Sequence, residues 1–125
     1  MPNSYQLDPG RDVLARIDGW PAGDSRRLLF TVMQDGSPKD ISNDDVRWTL
    51  RTTAYDSTGD TILSGDDSGV TIRRENVVDP TAGEVRVDIA EDATTGEWGQ
   101  YWQTVTVDPP GNSQQSWTGE VIITG

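Results

Sequence analysis

The sequence predicts an all-β protein, an antiparallel immunoglobulin-like β-sandwich with an extended N-terminal arm. Three observations carry that prediction. The apolar residues of the 125-residue chain fall in short runs with period two. Gly, Pro, Asp and Asn separate those runs as turn residues do. No stretch of ten residues or more carries the 3.6-residue apolar repeat of an amphipathic helix. A small barrel is the competing way to close such strands.

Taken in order, residues 1–25 are polar, punctuated by Pro and Gly and weakly periodic, and are expected to form an arm that orders against a neighbour. The sandwich domain is expected over 26–125. RLLFTVM (27–33) puts Leu28, Phe30 and Val32 on one face, and Asp35–Gly36–Ser37–Pro38 reads as a hairpin tip. DVRWTLRTTAY (45–55) turns Val46, Trp48 and Leu50 inward and Arg47, Thr49 and Arg51 outward. Shorter strands follow at 61–63 and 70–72. GEVRVDIA (83–90) alternates most cleanly, with Val85, Val87 and Ile89 opposite Glu84, Arg86 and Asp88. WGQYWQTVTVD (98–108) sets Tyr101, Gln103, Val105 and Val107 against Trp102, Thr104 and Thr106. Pro109–Pro110–Gly111–Asn112 is a second hairpin tip, and TGEVIIT (118–124) closes the chain. Single helical turns are expected only near 42–46 and 90–95. The Cys–Trp–Cys pattern of true immunoglobulin domains is missing, so the expectation concerns architecture alone.

Composition narrows the chemistry. The chain has neither Cys nor His, which removes disulfides, thiolate metal sites and the commonest general base. No apolar run approaches the roughly 20 residues of a membrane helix, and the N-terminus lacks the basic and apolar regions of a signal peptide. One complete domain, soluble and staying inside the cell that makes it until some lysis or assembly event, is the expectation. Twenty-one acidic residues, sixteen of them Asp, face nine Arg and the single Lys39, a formal net charge of -11. Self-repulsion of that size disfavours the compact state at low salt. High Asp with almost no Lys points to a halophilic source, an ordinary acidic protein being the alternative. No basic stripe exists to neutralise phosphates, so nucleic-acid binding is disfavoured.

DSTGDTILSGDDSG (56–69) holds four aspartates and no base. As a calcium loop beginning at Asp56 it has Thr61 where Gly is required and Asp67 in place of Glu. A looser cation site of Asp56, Asp60, Asp66 and Asp67 remains, against two solvated turns around a short strand, which is the preferred reading. Asp67–Ser68–Gly69 also spells the triplet of aspartic proteases. A single copy needs a dimer to supply the second Asp, and the preceding Ser64–Gly65–Asp66 is not the apolar run that triplet requires. No nucleophile elbow or phosphate loop is present, so no enzyme, catalytic residue or cofactor is expected.

Five tryptophans stand beside one phenylalanine. Trp48 is in phase with Val46 and Leu50 and belongs to the core. Trp98 and Trp102, four apart, share a face on period two and, with Trp20, are candidates for an interface or ligand platform. Burial within the protomer, a protein contact and a carbohydrate platform stay open as alternatives.

The order of the motifs is itself informative. Gly36–Ser37–Pro38–Lys39–Asp40–Ile41, Val46–Arg47–Trp48–Thr49–Leu50, Gly69–Val70–Thr71–Ile72, Gly83–Glu84–Val85–Arg86–Val87, Gly99–Gln100–Tyr101–Trp102 and Gly119–Glu120–Val121 follow one another over residues 26–125. That succession resembles the small β-sandwich domain at the N-terminus of tailed-phage upper baseplate proteins, also found as short stand-alone virion proteins. The resemblance implies a non-enzymatic virion part that docks to other virion proteins, as a homo-oligomer in a ring or lattice, without nucleic acid or membrane. It carries over no catalytic residue. The sequence is expected to end with the sandwich, without the receptor-binding continuation of that family, which leaves baseplate, tail, capsid decoration and turret all open. The acidic load adds the expectation of a virus of a halophilic, archaeal or bacterial host. A carbohydrate-binding module for host glycans, through Trp98 and Trp102, is the rival expectation.

Overall fold

Strand β3 (Arg26–Gln34) turns alternation into a layer: Leu28, Phe30 and Val32 are buried while Arg27 is exposed and Leu29 and Thr31 are half-buried. The computed structural model describes residues 3–8, 13–52, 61–74, 77–111 and 114–125. In it β3 pairs antiparallel with β8 (Glu84–Ile89), and β8 with β7 (Val70–Arg73). The second sheet is built on β9 (Gly99–Asp108), which lies between β10 (Gln115–Thr124) and β5 (Asp45–Arg51), with β6 (Thr61–Ser64) beside β5. A short β4 (Ser37–Pro38) folds back on β3. The turn between them has φ of +53° at Asp35 and +80° at Gly36, the two left-handed residues of the hairpin turn that Asp-Gly favours.

The N-terminal segment is not the separate arm that its composition predicts. β1 (Asn3–Leu7) adds to the first sheet in parallel beside β3, with Tyr5 opposite Phe30 and Leu7 opposite Val32. β2 (Ile17–Pro21) adds to the second in parallel beside β10. Both sheets are therefore mixed, around an antiparallel body whose orders, β1-β3-β8-β7 and β2-β10-β9-β5-β6, are those of an immunoglobulin-like sandwich. The segment reads as aperiodic because it changes sheets and carries a bulge. Ile17 pairs with Val121 but Trp20 with Ile123, three residues against two. Gly19, at φ +67°, absorbs the extra residue, so Ile17 and Trp20 both point inward.

The core joins both layers. Leu7, Leu28, Phe30, Val32, Val85 and Val87 meet Trp48, Leu50, Val105, Trp117 and Val121, all at most 2 % exposed. Each fully buried indole has an acceptor for its N–H: Trp20 donates to the Asp24 carbonyl at 3.0 Å, Trp48 to Gln103 Oε1 at 3.0 Å and Trp117 to the Asp8 carbonyl at 2.9 Å. An unmet donor there would cost about 1–3 kcal/mol. Two glycines are required by close approach. A Cβ on Gly119 would lie 2.6 Å from Leu14 Cβ and 2.9 Å from its carbonyl oxygen. Gly83, at φ +76°, ends the 3-10 turn Pro80–Ala82 against the Val32 and Lys39 carbonyls. The turns expected near 42–46 and 90–95 are present as isolated hydrogen-bonded turns, for example Asp44 N to Ile41 O at 3.1 Å and Thr95 N to Asp92 O at 3.2 Å.

β6 and β7 are the edge strands of different sheets on one side of the sandwich, joined by the turn 65–69. Ala90 N donates to Gly69 O at 2.8 Å and Asp92 N to Gly23 O at 2.8 Å, which seats the 90–96 loop beside that turn. Charged residues far apart in sequence thereby reach one rim.

Candidate functional site

Within the acidic stretch, the strand Thr61–Ser64 buries Leu63, and Gly65 N donates to Trp48 O at 3.0 Å as the chain turns. The Asp67 carboxylate accepts the Ser64 N–H at 2.8 Å and so closes its own turn. Asp66 is exposed. Asp56 and Asp60, the other half of the looser cation site, lie outside the described residues. Among the described residues no three acidic side chains come together in a way that could hold a metal ion. Asp67 therefore has a local structural role, and Asp67–Ser68–Gly69 is part of a tight turn that leads into Val70.

The three candidate tryptophans are not brought together. Trp20 is fully buried, with the Arg26 guanidinium 5.5 Å from its ring centroid, so it is a core residue and no part of a surface platform. The bulge at Gly19 turned it inward. Trp98 is 70 % exposed, ahead of Gly99 at φ +123°. Trp102 is half-buried on the outer face of the second sheet, between Glu120 on β10 and Arg51 on β5. The two rings make no ring contact among the described residues, where Tyr5 and Phe30 form the stacked pair, 5.4 Å between centroids.

The two outer faces differ in charge pattern. On the second sheet the charges are paired locally: Arg16 with Asp18 and Glu120 at 3.1 Å each, and Arg47 with Asp45 at 3.7 Å and Asp108 at 3.6 Å. Gln100 donates to Glu120, and hydroxyl pairs Thr104–Thr118 (3.1 Å) and Thr106–Ser116 (3.0 Å) fill the middle. Exposed pairs of this kind contribute about 0–1 kcal/mol each. On the first sheet Arg73 and Arg86 bind one carboxylate, Asp88, and Arg27 lies opposite it in register. Asp88 accepts from Arg73 Nε at 2.7 Å and from Arg86 Nε and Nη2 at 2.8 and 3.0 Å. Partial burial pushes the Asp88 pKa up, but the Arg86 and Arg73 hydrogen bonds and charges outweigh it and hold the carboxyl below its ordinary range. Burial, the Glu97 hydrogen bond and the Glu97 charge together raise the Tyr101 hydroxyl above its usual value.

Lys39 has a structural assignment. Its Nζ lies 3.4 Å from the buried Asp44 carboxylate, beside Arg74, which donates to the Ile41 and Asp44 carbonyls. The Arg27–Arg73–Arg86 cluster was not singled out by sequence. Alternation marks each residue as outward, yet only the register, Arg27 opposite Asp88 and Arg73 opposite Arg86, assembles them.

A shallow groove of about 280 Å3 lies beside that cluster, lined by Arg26, Arg27, Arg73 and Asp88 with Ser68 and Gly69. A second, about 450 Å3, is lined by Asp67, Glu91 and Asp92 with Ile62 and again Ser68 and Gly69.

No family model and no curated protein matches the chain. Among solved structures, the N-terminal domain of ORF48 of phage TP901-1 is similar at 13% identity over 99% of this chain and 98% of that one, with a TM-score of 0.48. The N-terminal Ig1-2 module of the Drosophila receptor protein tyrosine phosphatase DLAR gives 11% identity over 98% of this chain and 45% of that one, also at 0.48. PapD-like domain 7 of human CEP192 gives 12% identity over 91% and 82%, at 0.38. At these TM-scores the likenesses carry no argument about function, and the β-sandwich assignment rests on the chain's own two sheets.

Proposed function

We propose that the chain is a non-enzymatic structural component of a tailed virus particle, an assembly or docking module of the baseplate or tail, or of a capsid decoration or turret. The observation that carries this reading is the ordered run of motifs resembling the upper-baseplate sandwich domain. Those motifs also have physical work to do here. Asp35–Gly36 closes the β3–β4 hairpin, and Ile41 is buried behind it. Val46, Trp48 and Leu50 form the core face of β5. Gly83 and Gly119 stand where a side chain would strike a neighbouring backbone. A rigid sandwich with charged grooves and exposed loops suits a part that meets other virion proteins, and the net charge of -11 suits a salt-rich host.

Purified particles from the virus that encodes the chain test the reading. The chain is expected to co-sediment with particles through a density gradient at a fixed ratio to the other structural proteins. Recovery solely in the soluble fraction would contradict it. One observation favours the second reading, a carbohydrate-binding module: the 70 % exposure of Trp98. Saturable quenching of tryptophan fluorescence by host glycans, lost in Trp98→Ala, would support that reading; no response sinks it.

A further inference from the structure

The two grooves described above share one wall, Ser68 and Gly69, and carry opposite charge on its two sides. Arg26, Arg27 and Arg73, against the one carboxylate Asp88, lie on one side and Asp67, Glu91 and Asp92 on the other. A patch with this arrangement is complementary to itself. Rotating a second copy by half a turn about the shared wall sets the basic groove of each over the acidic groove of the other, the condition for a closed, isologous contact.

Several charges on this rim are not satisfied within the protomer. Arg16, Lys39, Arg47, Arg73 and Arg86 are in ion pairs, and Arg26 lies over Trp20. Among the described residues Arg27 makes no ion pair or hydrogen bond, and neither do the side chains of Glu91 and Asp92. Two copies each at -11 repel over most of their surfaces, so a contact between them needs a place where opposite charges face each other. This rim is such a place.

We propose that the rim formed by the turn 65–69, β7 and the 90–93 loop is a two-fold docking surface for a second copy of this chain, in which Arg27 of each copy meets Glu91 of the other. The contact rests on the assembly reading above for its setting in a particle, but is tested without one. Its salt response follows from its charges. At low ionic strength long-range repulsion between the acidic bodies opposes it. At about 0.1 M salt, where screening sets in beyond about 10 Å, the close pairs survive and the repulsion does not.

Sedimentation equilibrium of the full chain over a range of salt concentrations is the test. The wild type is expected to form a dimer, most stable at intermediate salt. Arg27→Glu and Glu91→Arg each set like charges together and are expected to weaken dimerisation about tenfold or more. The double variant R27E/E91R is expected to recover most of that loss. Glu91 is chosen over Asp92 because Asp92, at φ +72°, serves its own turn. Ser68→Trp, a bulky uncharged change on the axis, is expected to abolish the dimer as well. A wild type that is monomeric at every salt concentration overturns the proposal. So does a swap that leaves both losses unrepaired in variants whose circular dichroism is unchanged, or a Ser68→Trp protein that still dimerises. Co-sedimentation of the wild-type chain with particles tests the assembly reading separately, so the two can fail independently.

Discussion

β9 and β2 bury the same kinds of residue by opposite means. β9 is ten residues of unbroken alternation, flanked on both sides, and every second residue from Tyr101 to Val107 is inside. β2 is five residues at an edge, with Ile17 and Trp20 inside and two exposed residues between them. Alternation reports burial faithfully where a strand has regular partners on both sides. At the edge a single bulge changes the spacing, and with it the apparent meaning of the sequence.

The largest expected effect lies in the regular region. Trp48→Ala removes a fully buried indole from β5, beside β9, and strips Gln103 Oε1 of its donor. A loss of about 3–5 kcal/mol is expected, read as a lower urea midpoint. Little change would mean that β5 and β9 do not form the central layer. Gly119→Val probes the irregular region, since the new side chain would strike Leu14. A loss of about 1–3 kcal/mol is expected. Its signature is faster hydrogen exchange at Leu14 and Ala22, whose N–H groups bond to Thr118 O and Thr124 O. Exchange that quickens equally throughout β5 and β9 would erase the distinction between the regions.

Trp20→Phe keeps most of the volume and deletes the N–H that reaches Asp24 O, for about 1 kcal/mol. The smallest effect concerns pH. The Asp88 pKa is lower folded than unfolded, so its stabilisation is present above the unfolded value and lost as pH falls through the folded one. Tyr101 runs the other way: its raised pKa gives stabilisation below the unfolded value, lost as pH rises through the folded one. Asp88→Asn should flatten the acid limb of a melting-temperature profile and leave the alkaline limb unchanged. An unaltered acid limb would show that the Arg73–Asp88–Arg86 cluster contributes nothing to it.

The antiparallel body was legible because its strands alternate and its turns carry their own chemistry, as Asp35–Gly36 does. The inward placement of Val85, Val87 and Ile89, and of Tyr101, Gln103, Val105 and Val107, follows from period two alone. The N-terminal strands were not legible, because parallel pairing across two sheets leaves no local signature and Gly19 disguises the apolar spacing. Trp98 and Trp102 share a phase in sequence, but Gly99 at φ +123° breaks the strand geometry that would align them. The rim escaped for a different reason. Arg27, Arg73 and Glu91 come from separate segments, and only the register of β3, β8 and β7 and the packing of the 90–96 loop bring them near one another.

Incorporation into particles tests most directly the claim that this sandwich is an assembly part whose charged rim makes its contacts. Particles assembled with wild type, Arg27→Glu, Glu91→Arg or the double swap would be purified and the chain quantified in each. The account predicts full incorporation of wild type, loss with either single reversal and recovery with the swap. Equal incorporation of all four, or absence of the wild-type chain from the particles, would contradict it.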